Sequence, residues 1–411
     1  MTPEVKERNE QIRNGIVPEG YRKTKTDIVP TEWVDCAIGK YICEYTEKTT
    51  VANQHPVLTS ARSGLMLQTD YYTNRQVTTE ENIGYNVLPY GYITFRSRSD
   101  DGRFRFNENK LIEHGIISYF YPVFSFSNEV CQEYMLQLLN QSIYRRMHPY
   151  IEGTAQQVLS LKKLGQLIYS LPSIEEQNKI SEILVAQDKT IELKEKLLAE
   201  KQRQKKCLMQ QLLTGRKRIP GFSEKWVNVK LGDVFAERVE TNCQDLELLS
   251  VTGTNGVVPR STIETKDNSS EDKSKYLKIC KGDIGYNTMR MWQGVSALSE
   301  YEGIVSPAYT ILIPSETISA KYFSYLFKMH AVIFLFYRFS QGIVDDTRSL
   351  KYHEFAKLHL KVPSDKQEQE AIARILSVAD KEIEILQKDL DQEKQKKKAL
   401  MQLLLTGIVR V

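Results

Sequence analysis

One long segment occurs twice in this sequence, and it constrains the fold more than any other feature. It runs over residues 177–215 and again over residues 369–407. The two copies agree at about half of their positions, and both end on LMQ followed by a closing LLTG. A repeat with so long a period predicts a chain built from two copies of one plan.

Each copy carries apolar residues at the a and d positions of a heptad, with lysine, glutamate and glutamine elsewhere. These apolar residues are Ile180, Leu184, Ile191, Leu198, Leu208 and Leu212 in the first copy, and Ile372, Leu376, Ile383, Leu390, Leu400 and Leu404 in the second. The pattern predicts two long helices that lie along each other, because two matched apolar stripes can bury one another. About 37 helical residues would make a rod of roughly 55 Å.

An alternative interpretation is a surface helix that packs once on a larger core. Lys194, Lys201 and Lys205 interrupt the first seam, which favours that alternative. The second copy has interruptions of the same kind, which favours paired helices.

The repeat also predicts the domain boundaries. Each long helix opens after a Pro-Ser pair and stops at a glycine, Gly215 or Gly407. Basic connectors that close on Trp33 and Trp226 lead into two regions of short mixed strands and helices, each of which is predicted to be α+β. We expect an N-terminal helix and connector over residues 1–30, a first globule over 31–172, a long helix over 173–216, a second globule over 217–363, and a second long helix over 364–411.

Composition narrows the class of protein. A net charge of +4 neither establishes nor excludes a polyanionic partner, and six cysteines without a CxxC pair are typical of a reducing cytosol. Lys328, His330 and Arg338 interrupt the most apolar run, residues 322–339, so this run predicts one buried helix and no membrane span. With no signal peptide at its start, the sequence predicts a cytoplasmic protein.

Motifs of catalysis are missing from the sequence. It contains no GxxxxGK[ST] phosphate loop, no HExxH, and none of the motifs expected of an amino-methyltransferase. His353 and His359 lie close together but lack convincing metal spacing. We therefore expect a protein that is not an enzyme and that holds no cofactor or metal of its own.

The first globule contains a segment in which arginine alternates with phenylalanine. Arg96, Arg98, Arg103 and Arg105 flank a turn at residues 100–102, and Arg62 lies in a separate Gly-Ser-rich segment. Guanidinium groups suit phosphates and guanine edges, and a hairpin can enter a groove of DNA. The alternative is the solvated face of an ordinary hairpin.

The second globule combines an amide, a guanidinium and an indole in one short segment. The candidate DNA-binding residues there are Asn287, Arg290, Trp292 and Gln293, with Arg260 and Arg348 in further loops. Asn or Gln can pair with adenine and Arg with guanine in the major groove. Two alternatives remain, that Trp292 is a core residue and that Arg290 only braces the loop.

Several of these segments together resemble one known family, the specificity (S) subunits of type I restriction-modification enzymes. The resemblance covers the whole chain, and its carriers are LPSIEEQNKISEIL, VPSDKQEQEAIARIL, LMQQLLTG, LMQLLLTG, IPGFSEKW and GDIGYNTMRMWQG. It implies two target recognition domains that each read half of a split, asymmetric DNA sequence. It also implies that two long helices, packed antiparallel in a pseudo-twofold repeat, separate these domains.

The resemblance further implies partners. Two modification subunits would bring S-adenosylmethionine and methylate adenine, and restriction subunits would cut DNA with ATP and Mg²⁺, so all cofactor sites would lie outside this chain. An alternative of a different class is a two-headed coiled-coil adaptor that binds proteins and not DNA. A third, a fused methyltransferase and specificity protein, is disfavoured by the missing motifs.

Overall fold

The computed structural model describes residues 2–72, 81–147, 157–253, 256–263, 269–342, 344 and 347–411. The chain divides into two compact units. Unit 1 comprises residues 1–193 and 390–411, and unit 2 comprises residues 194–389. The finer domain boundaries drawn from the sequence stay a prediction.

In chain order, unit 1 contains α1 (Pro3–Arg13), β1 (Tyr21–Lys23), β2 (Ile28–Pro30), β3 (Val34–Ala37), β4 (Ile42–Tyr45), β5 (Leu58–Ala61), β6 (Gly64–Leu67), α2 (Gln68–Tyr71), β7 (Asn86–Pro89), β8 (Ile93–Phe95), β9 (Arg98–Ser99), β10 (Phe106–Glu108), β11 (His114–Ile117), β12 (Val123–Phe126), α3 (Gln132–Met147), β13 (Gln157–Val158), α4 (Leu161–Gly165) and β14 (Ile168–Leu171). The long helix α5 (Ile174–Leu212) begins in unit 1 and ends in unit 2.

Unit 2 continues with β15 (Trp226–Lys230), α6 (Leu231–Val234), β16 (Phe235–Arg238), β17 (Leu249–Val251), β18 (Val257–Pro259), β19 (Leu277–Ile279), β20 (Ile284–Asn287), β21 (Ser296–Leu298), β22 (Gly303–Val305), β23 (Tyr309–Pro314), α7 (Ala320–Leu326), α8 (His330–Phe339), α9 (Tyr352–Phe355) and β24 (His359–Pro363). The second long helix, α10 (Lys366–Leu404), begins in unit 2 and ends in unit 1.

Both units are built on the same antiparallel four-stranded sheet. Its order is β10-β8-β12-β4 in unit 1 and β21-β20-β23-β16 in unit 2. Equivalent two-stranded ladders accompany it, β5 with β6, β7 with β11 and β3 with β14 in unit 1, and β17 with β18, β19 with β22 and β15 with β24 in unit 2. The α+β class and the internal repeat predicted from the sequence are confirmed.

The ends of the long helices complete the hydrophobic core of each unit. In unit 1, Ile180 near the start of α5 and Leu404 at the end of α10 join one buried cluster. In unit 2, Ile372 near the start of α10 and Leu212 at the end of α5 do the same. Within each unit the two helices therefore run antiparallel, as expected.

The lysines that interrupt the first seam pair with carboxylates of α10. In unit 2, the Nζ of Lys194 lies 2.7 Å from Asp389, that of Lys201 lies 2.6 Å from Glu382, and Lys205 forms an ion pair with Asp380. The same arrangement recurs in unit 1, where Lys397 pairs with Asp188. These contacts support paired helices over the surface-helix alternative.

The prediction of one buried helix over residues 322–339 is wrong. The run forms two helices, α7 and α8, because Met329 has an extended backbone, with φ −70° and ψ 132°. The break lets Phe327 fill the core while Lys328 turns towards the loop before β21. Half of α8 then faces outward, and Phe334 is 53% exposed. Among the described residues, no helix is long and apolar enough to cross a membrane.

A buried glutamine holds the start of each long helix to its unit. The Nε2 of Gln177 donates to the carbonyl of Pro172 at 3.0 Å, and its Oε1 accepts the N–H of Cys131 at 2.9 Å. Gln369 makes the equivalent bonds to the carbonyl of Pro363 and the N–H of Ser319, both at 2.9 Å. Each glutamine thus joins a long helix to the first turn of a helix in the globule, α3 or α7.

We predict that Gln177→Ala destabilises unit 1, because it leaves the Cys131 N–H and the Pro172 carbonyl unpaired in a buried place. The expected loss in the free energy of unfolding is roughly 2–4 kcal/mol. The exposed Gln202→Ala on the same helix is the control, with an expected effect within about 0.5 kcal/mol. Denaturant unfolding followed by circular dichroism measures both, and equal stability of the two variants would contradict the role given to Gln177.

Candidate nucleic-acid interface

The candidate binding residues of both units lie at the same end of the same central strand. Arg96 directly follows β8, and Asn287 is the last residue of β20. Equivalent main-chain hydrogen bonds hold the next residue in both units. They join the N–H of Leu159 to the carbonyl of Ser97 at 2.9 Å, and the N–H of Leu350 to the carbonyl of Thr288 at 2.8 Å. The fold therefore presents Arg96 and Asn287 at equivalent positions.

Two exposed arginines of unit 1 lie beside aromatic rings. The guanidinium carbon of Arg98 is 4.1 Å from the ring centroid of Phe120. This cation–π contact orients the guanidinium group. Burial raises the pKa of Tyr121, and the charge of Arg96 opposes that rise. Tyr119, the neighbour of Phe120, is 58% exposed. This corner of unit 1 thus combines two cations with three aromatic rings.

The carboxylate of Asp101 organises the turn between Arg98 and Arg105. Its Oδ1 accepts the N–H of Arg103 at 3.2 Å and the guanidinium of Arg62 at 2.5 Å. The Arg103 N–H is the main cause of the lowered pKa of Asp101, and the charge of Arg62 adds to it. Arg62 is exposed but engaged in bracing the turn. The Arg103 guanidinium has no hydrogen bond or ion pair within the described part of the chain.

Arg105 is directed towards a long helix. It retains exposed surface, but partial burial lowers its pKa, and Asp188 on α5 opposes that shift. Asp188 also pairs with Lys397. The structure therefore gives Arg105 a carboxylate neighbour on α5 within unit 1.

The recognition loop of unit 2, residues 287–294, is closed by its own polar groups. The Oδ1 of Asn287 accepts the N–H of Met289 at 3.0 Å, and the carbonyl of Arg290 accepts the N–H of Gln293 at 2.9 Å. The indole Nε1 of Trp292 donates to the carbonyl of Met289 at 2.9 Å. These bonds fix the loop before any ligand binds. Gln293 stays exposed.

The remaining candidate DNA-binding residues of unit 2 lie near two tyrosines. Arg290 and Arg260 both lie close enough to Tyr309 to oppose the rise that burial causes in its pKa. Arg348 lies 4.1 Å over the ring of Tyr337, and Trp292 meets the same ring edge-on at 6.1 Å between centroids. Trp292 is half-buried, so it braces the loop and keeps some exposed surface.

Arg290 is exposed, and its guanidinium has no hydrogen bond or ion pair with any residue that the structure describes. Its main chain closes the loop, while its side chain lies near Tyr309 without a hydrogen bond to it. The side chain is therefore available to a ligand. The hypothesis that it braces the loop is not supported by any such contact.

Sequence reasoning missed the aromatic side chains of the candidate interface in each unit. The rings concerned are Tyr119, Phe120 and Tyr121 in unit 1, and Tyr309, Phe334 and Tyr337 in unit 2. The alignment of GIISYFYPVF with GIVSPAYTIL was a usable signal, because it puts Tyr121 opposite Tyr309. Nothing in the sequence indicated that these rings lie beside the arginines.

The chemistry of this surface suits a nucleic acid. Exposed guanidinium forks can bind phosphates or guanine edges, amides can pair with adenine, and aromatic faces support both. Within the described residues there is no group of three or more metal-ligating side chains. The surface is thus equipped for recognition.

Comparison with known proteins agrees with this chemistry. The family described as type I restriction modification DNA specificity domain matches residues 40–201 and 223–394, one copy in each half of the chain. These matches cover well over half of the sequence. The chain belongs to this family, and it is a DNA sequence-recognition subunit of a type I restriction-modification system. The adaptor alternative is not favoured.

Solved structures show the same fold. An S subunit of a type I restriction-modification system from M. genitalium aligns with a TM-score of 0.56 at 13% identity, over 95% of this chain and 99% of that one. A chain from a structure on complex assembly and conformational transition of the type I R-M system aligns with a TM-score of 0.51 at 15% identity, over 93% and 99% of the two chains.

We predict that Arg290→Ala weakens DNA binding without destabilising the protein. Loss of one bidentate base contact costs about 1–3 kcal/mol of binding free energy at one position of the target. The free energy of unfolding should change by less than about 0.5 kcal/mol, because the exposed guanidinium has no hydrogen bond or ion pair among the described residues to lose. Titrations on single-base variants of the bound duplex, with a melting curve beside them, measure both effects.

A matched control is Arg238→Ala in the same unit. Arg238 forms a two-pronged ion pair with buried Asp283, at 2.8 and 3.2 Å, so its loss should cost about 3–5 kcal/mol of stability. An Arg290 variant that melts early, or one that binds every duplex as the parent does, would remove Arg290 from the interface.

Proposed function

We propose that this chain reads a bipartite, asymmetric duplex, with one half-site recognised by each unit, and directs modification and restriction subunits to it. The observation that carries the proposal is the repeated position of the candidate residues. Both units place them at the same end of the same central strand, on equivalent main-chain supports. Two similar main-chain scaffolds that carry different side chains suit two half-sites of different sequence.

The asymmetry of the target follows from what occupies the equivalent positions. Unit 1 places Arg96 where unit 2 places Asn287. A guanidinium favours guanine, whereas an amide favours adenine. Asn287 already accepts one hydrogen bond from Met289, and its carbonyl oxygen has a second lone pair for a base. The two half-sites would therefore differ in sequence.

We infer that the chain is not itself catalytic and acts in the cytoplasm. S-adenosylmethionine, ATP and Mg²⁺ would be bound by the modification and restriction subunits. This chain would contribute recognition and a docking surface. The missing catalytic motifs in the sequence support this division of labour.

An exposed apolar stripe on α10, one position of which recurs on α5, supports assembly with two modification subunits. On α10 it consists of Ile375, Val378 and Ile385, which are 38, 64 and 58% exposed. Their spacing of three and seven residues places them on one face of the helix. Leu193 on α5 is 54% exposed and corresponds to Ile385 in the repeat. The surfaces around Leu193 and Ile385 would receive two copies of one partner.

The test of bipartite readout is an exchange of residues 226–362 for the same region of a related protein. Duplexes selected from a randomised pool by the parent and by the hybrid, each with its modification subunits, should share one half-site and differ in the other. The reason is that each region has its own sheet and its own attachment to a long helix. A hybrid with both halves changed would contradict modular readout, and a parent that selects no duplex would contradict DNA recognition.

For the partner surface, we expect Val378→Asp with Ile385→Asp to weaken binding of the modification subunit by about 2 kcal/mol or more, because two apolar side chains lose their buried environment. Lys398→Asp, an exposed change thirteen residues beyond Ile385 and on another face of α10, should leave that binding unchanged. Analytical ultracentrifugation of the mixed subunits measures stoichiometry and affinity. Two bound subunits in the double variant at parental affinity would exclude this stripe as the docking site.

A further inference from the structure

The lysine at the break between α7 and α8 is hydrogen-bonded to the end of the recognition loop of unit 2. The Nζ of Lys328 donates to the carbonyl of Gly294 at 2.7 Å, and that carbonyl also accepts the N–H of Ser296 at 3.0 Å. Gly294 has φ +79°, and a Cβ there would lie 2.7 Å from Ile333 on α8. The loop end is therefore held by a side chain from one side and packed against a helix on the other.

Short main-chain bonds connect this fixed point to Arg290. The N–H of Gly294 donates to the carbonyl of Met291 at 2.7 Å. The carbonyl of Arg290 accepts the N–H groups of Gln293 at 2.9 Å and of Val295 at 3.3 Å. A displacement of Gly294 would thus move Arg290, which presents the exposed guanidinium.

Unit 1 has a clamp at the equivalent place, built from a different side chain. Asn140 on α3 accepts the N–H of Phe106 and donates to its carbonyl, both at 3.0 Å. Phe106 opens β10, which pairs with β8, as Ser296 opens β21, which pairs with β20. In both units a side chain, from α3 in unit 1 and from the break between α7 and α8 in unit 2, fixes the main chain where the loop re-enters the sheet. In unit 1 that side chain is neutral, and in unit 2 it is a lysine.

We propose that Lys328 is a positioning residue for the half-site of unit 2, acting on Arg290 through the carbonyl of Gly294, and that its charge makes recognition of this half-site dependent on pH. The proposal rests on the DNA recognition proposed above. Asn140 performs the equivalent positioning in unit 1 without a titratable group.

Burial lowers the pKa of Lys328 to about 8, within the range in which proteins are handled. Burial is the sole cause, and no charged side chain among the described residues contributes. The titratable or charged side chains on the elements packed around it are Lys321, Tyr322 and Tyr325 on α7, His330, Tyr337 and Arg338 on α8, and Arg290 in the recognition loop. No carboxylate on these elements holds the proton in place.

The direction of the pH effect distinguishes a role of Lys328 in DNA recognition from a role in stability alone. The pKa of Lys328 is lower in the folded chain than its ordinary value of 10.5, so the unfolded chain binds more protons between about pH 8 and pH 10.5. Stability therefore rises with pH over that window. DNA, a polyanion, favours the charged lysine, so affinity falls as pH rises through about 8. A purely structural lysine would not weaken DNA binding while the protein becomes more stable.

The experiment uses the full chain with its modification subunits and the duplex selected by the parent protein. Between about pH 7 and about pH 9.5 the affinity of the parent should fall about five- to tenfold. Lys328→Arg keeps the positive charge and the hydrogen-bond donor over this pH range. Its affinity for DNA should therefore fall less with pH, and the remaining fall reports the other titrating groups. Lys328→Met should bind weakly at every pH and lose discrimination at the half-site of unit 2 alone. Lys321→Met, an exposed lysine on α7, is the matched control and should keep the parental profile.

The proposal would be overturned if DNA affinity fell equally with pH in the parent and in Lys328→Arg. Parental discrimination at both half-sites in Lys328→Met would overturn it too. If Lys328→Met fails to fold, the comparison of the parent with Lys328→Arg still decides. A parent that binds no selected duplex at any pH would refute DNA recognition itself, which is a different outcome from a flat profile with intact binding.

Discussion

The attachment of each long helix to its globule is the contact on which the rest of the architecture depends. At the start of α5 and of α10, a buried glutamine uses both ends of its amide on main-chain groups of the globule. Next to it, Glu176 pairs with Arg410 at 2.6 Å, and Glu368 pairs with Arg218 at 2.7 Å. Because the glutamine and glutamate side chains are buried, a helix orientation that removed their partners would leave them unpaired.

This attachment separates two tasks within each unit. The sheet, the glutamine and the helix ends form a frame that is the same in both units, down to matched hydrogen bonds. The loops beyond β8 and β20 carry different side chains on that frame. A loop can thus change its exposed side chains without disturbing the core, provided that its buried side chain, Phe104 in unit 1 or Met291 in unit 2, is kept.

The parts of this structure that local chemistry dictates were predictable from the sequence. The heptads and the terminal glycines predicted α5 and α10, and the expected N-terminal helix is α1. The break at Met329 was not predictable, since no proline or glycine marks it, and the Gly294 carbonyl that Lys328 contacts there is distant in the sequence. Side-chain neighbours were equally hidden, because they depend on how separate strands come together.

For the candidate interface, the sequence indicated which segments present arginine and amide groups but not how they are supported. Arg105 faces Asp188 on a long helix, whereas Arg96 lies beside Tyr121 on a neighbouring strand. Alternation along a single segment cannot distinguish these two environments. Only the assembled sheet places one arginine towards a carboxylate and the other towards an aromatic ring.

The ion pairs between the long helices also have a consequence for the choice of partner helix. If α5 paired in the same register with α5 of another copy, the repeat would replace Asp389 by Leu197 and Glu382 by Thr190. Lys194 and Lys201 would then lie partly buried without a counter-charge. Pairing α10 with another α10 would instead bring Glu382 against Glu393. The divergence between the two copies therefore disfavours like-with-like association and directs each helix to its counterpart in the same chain.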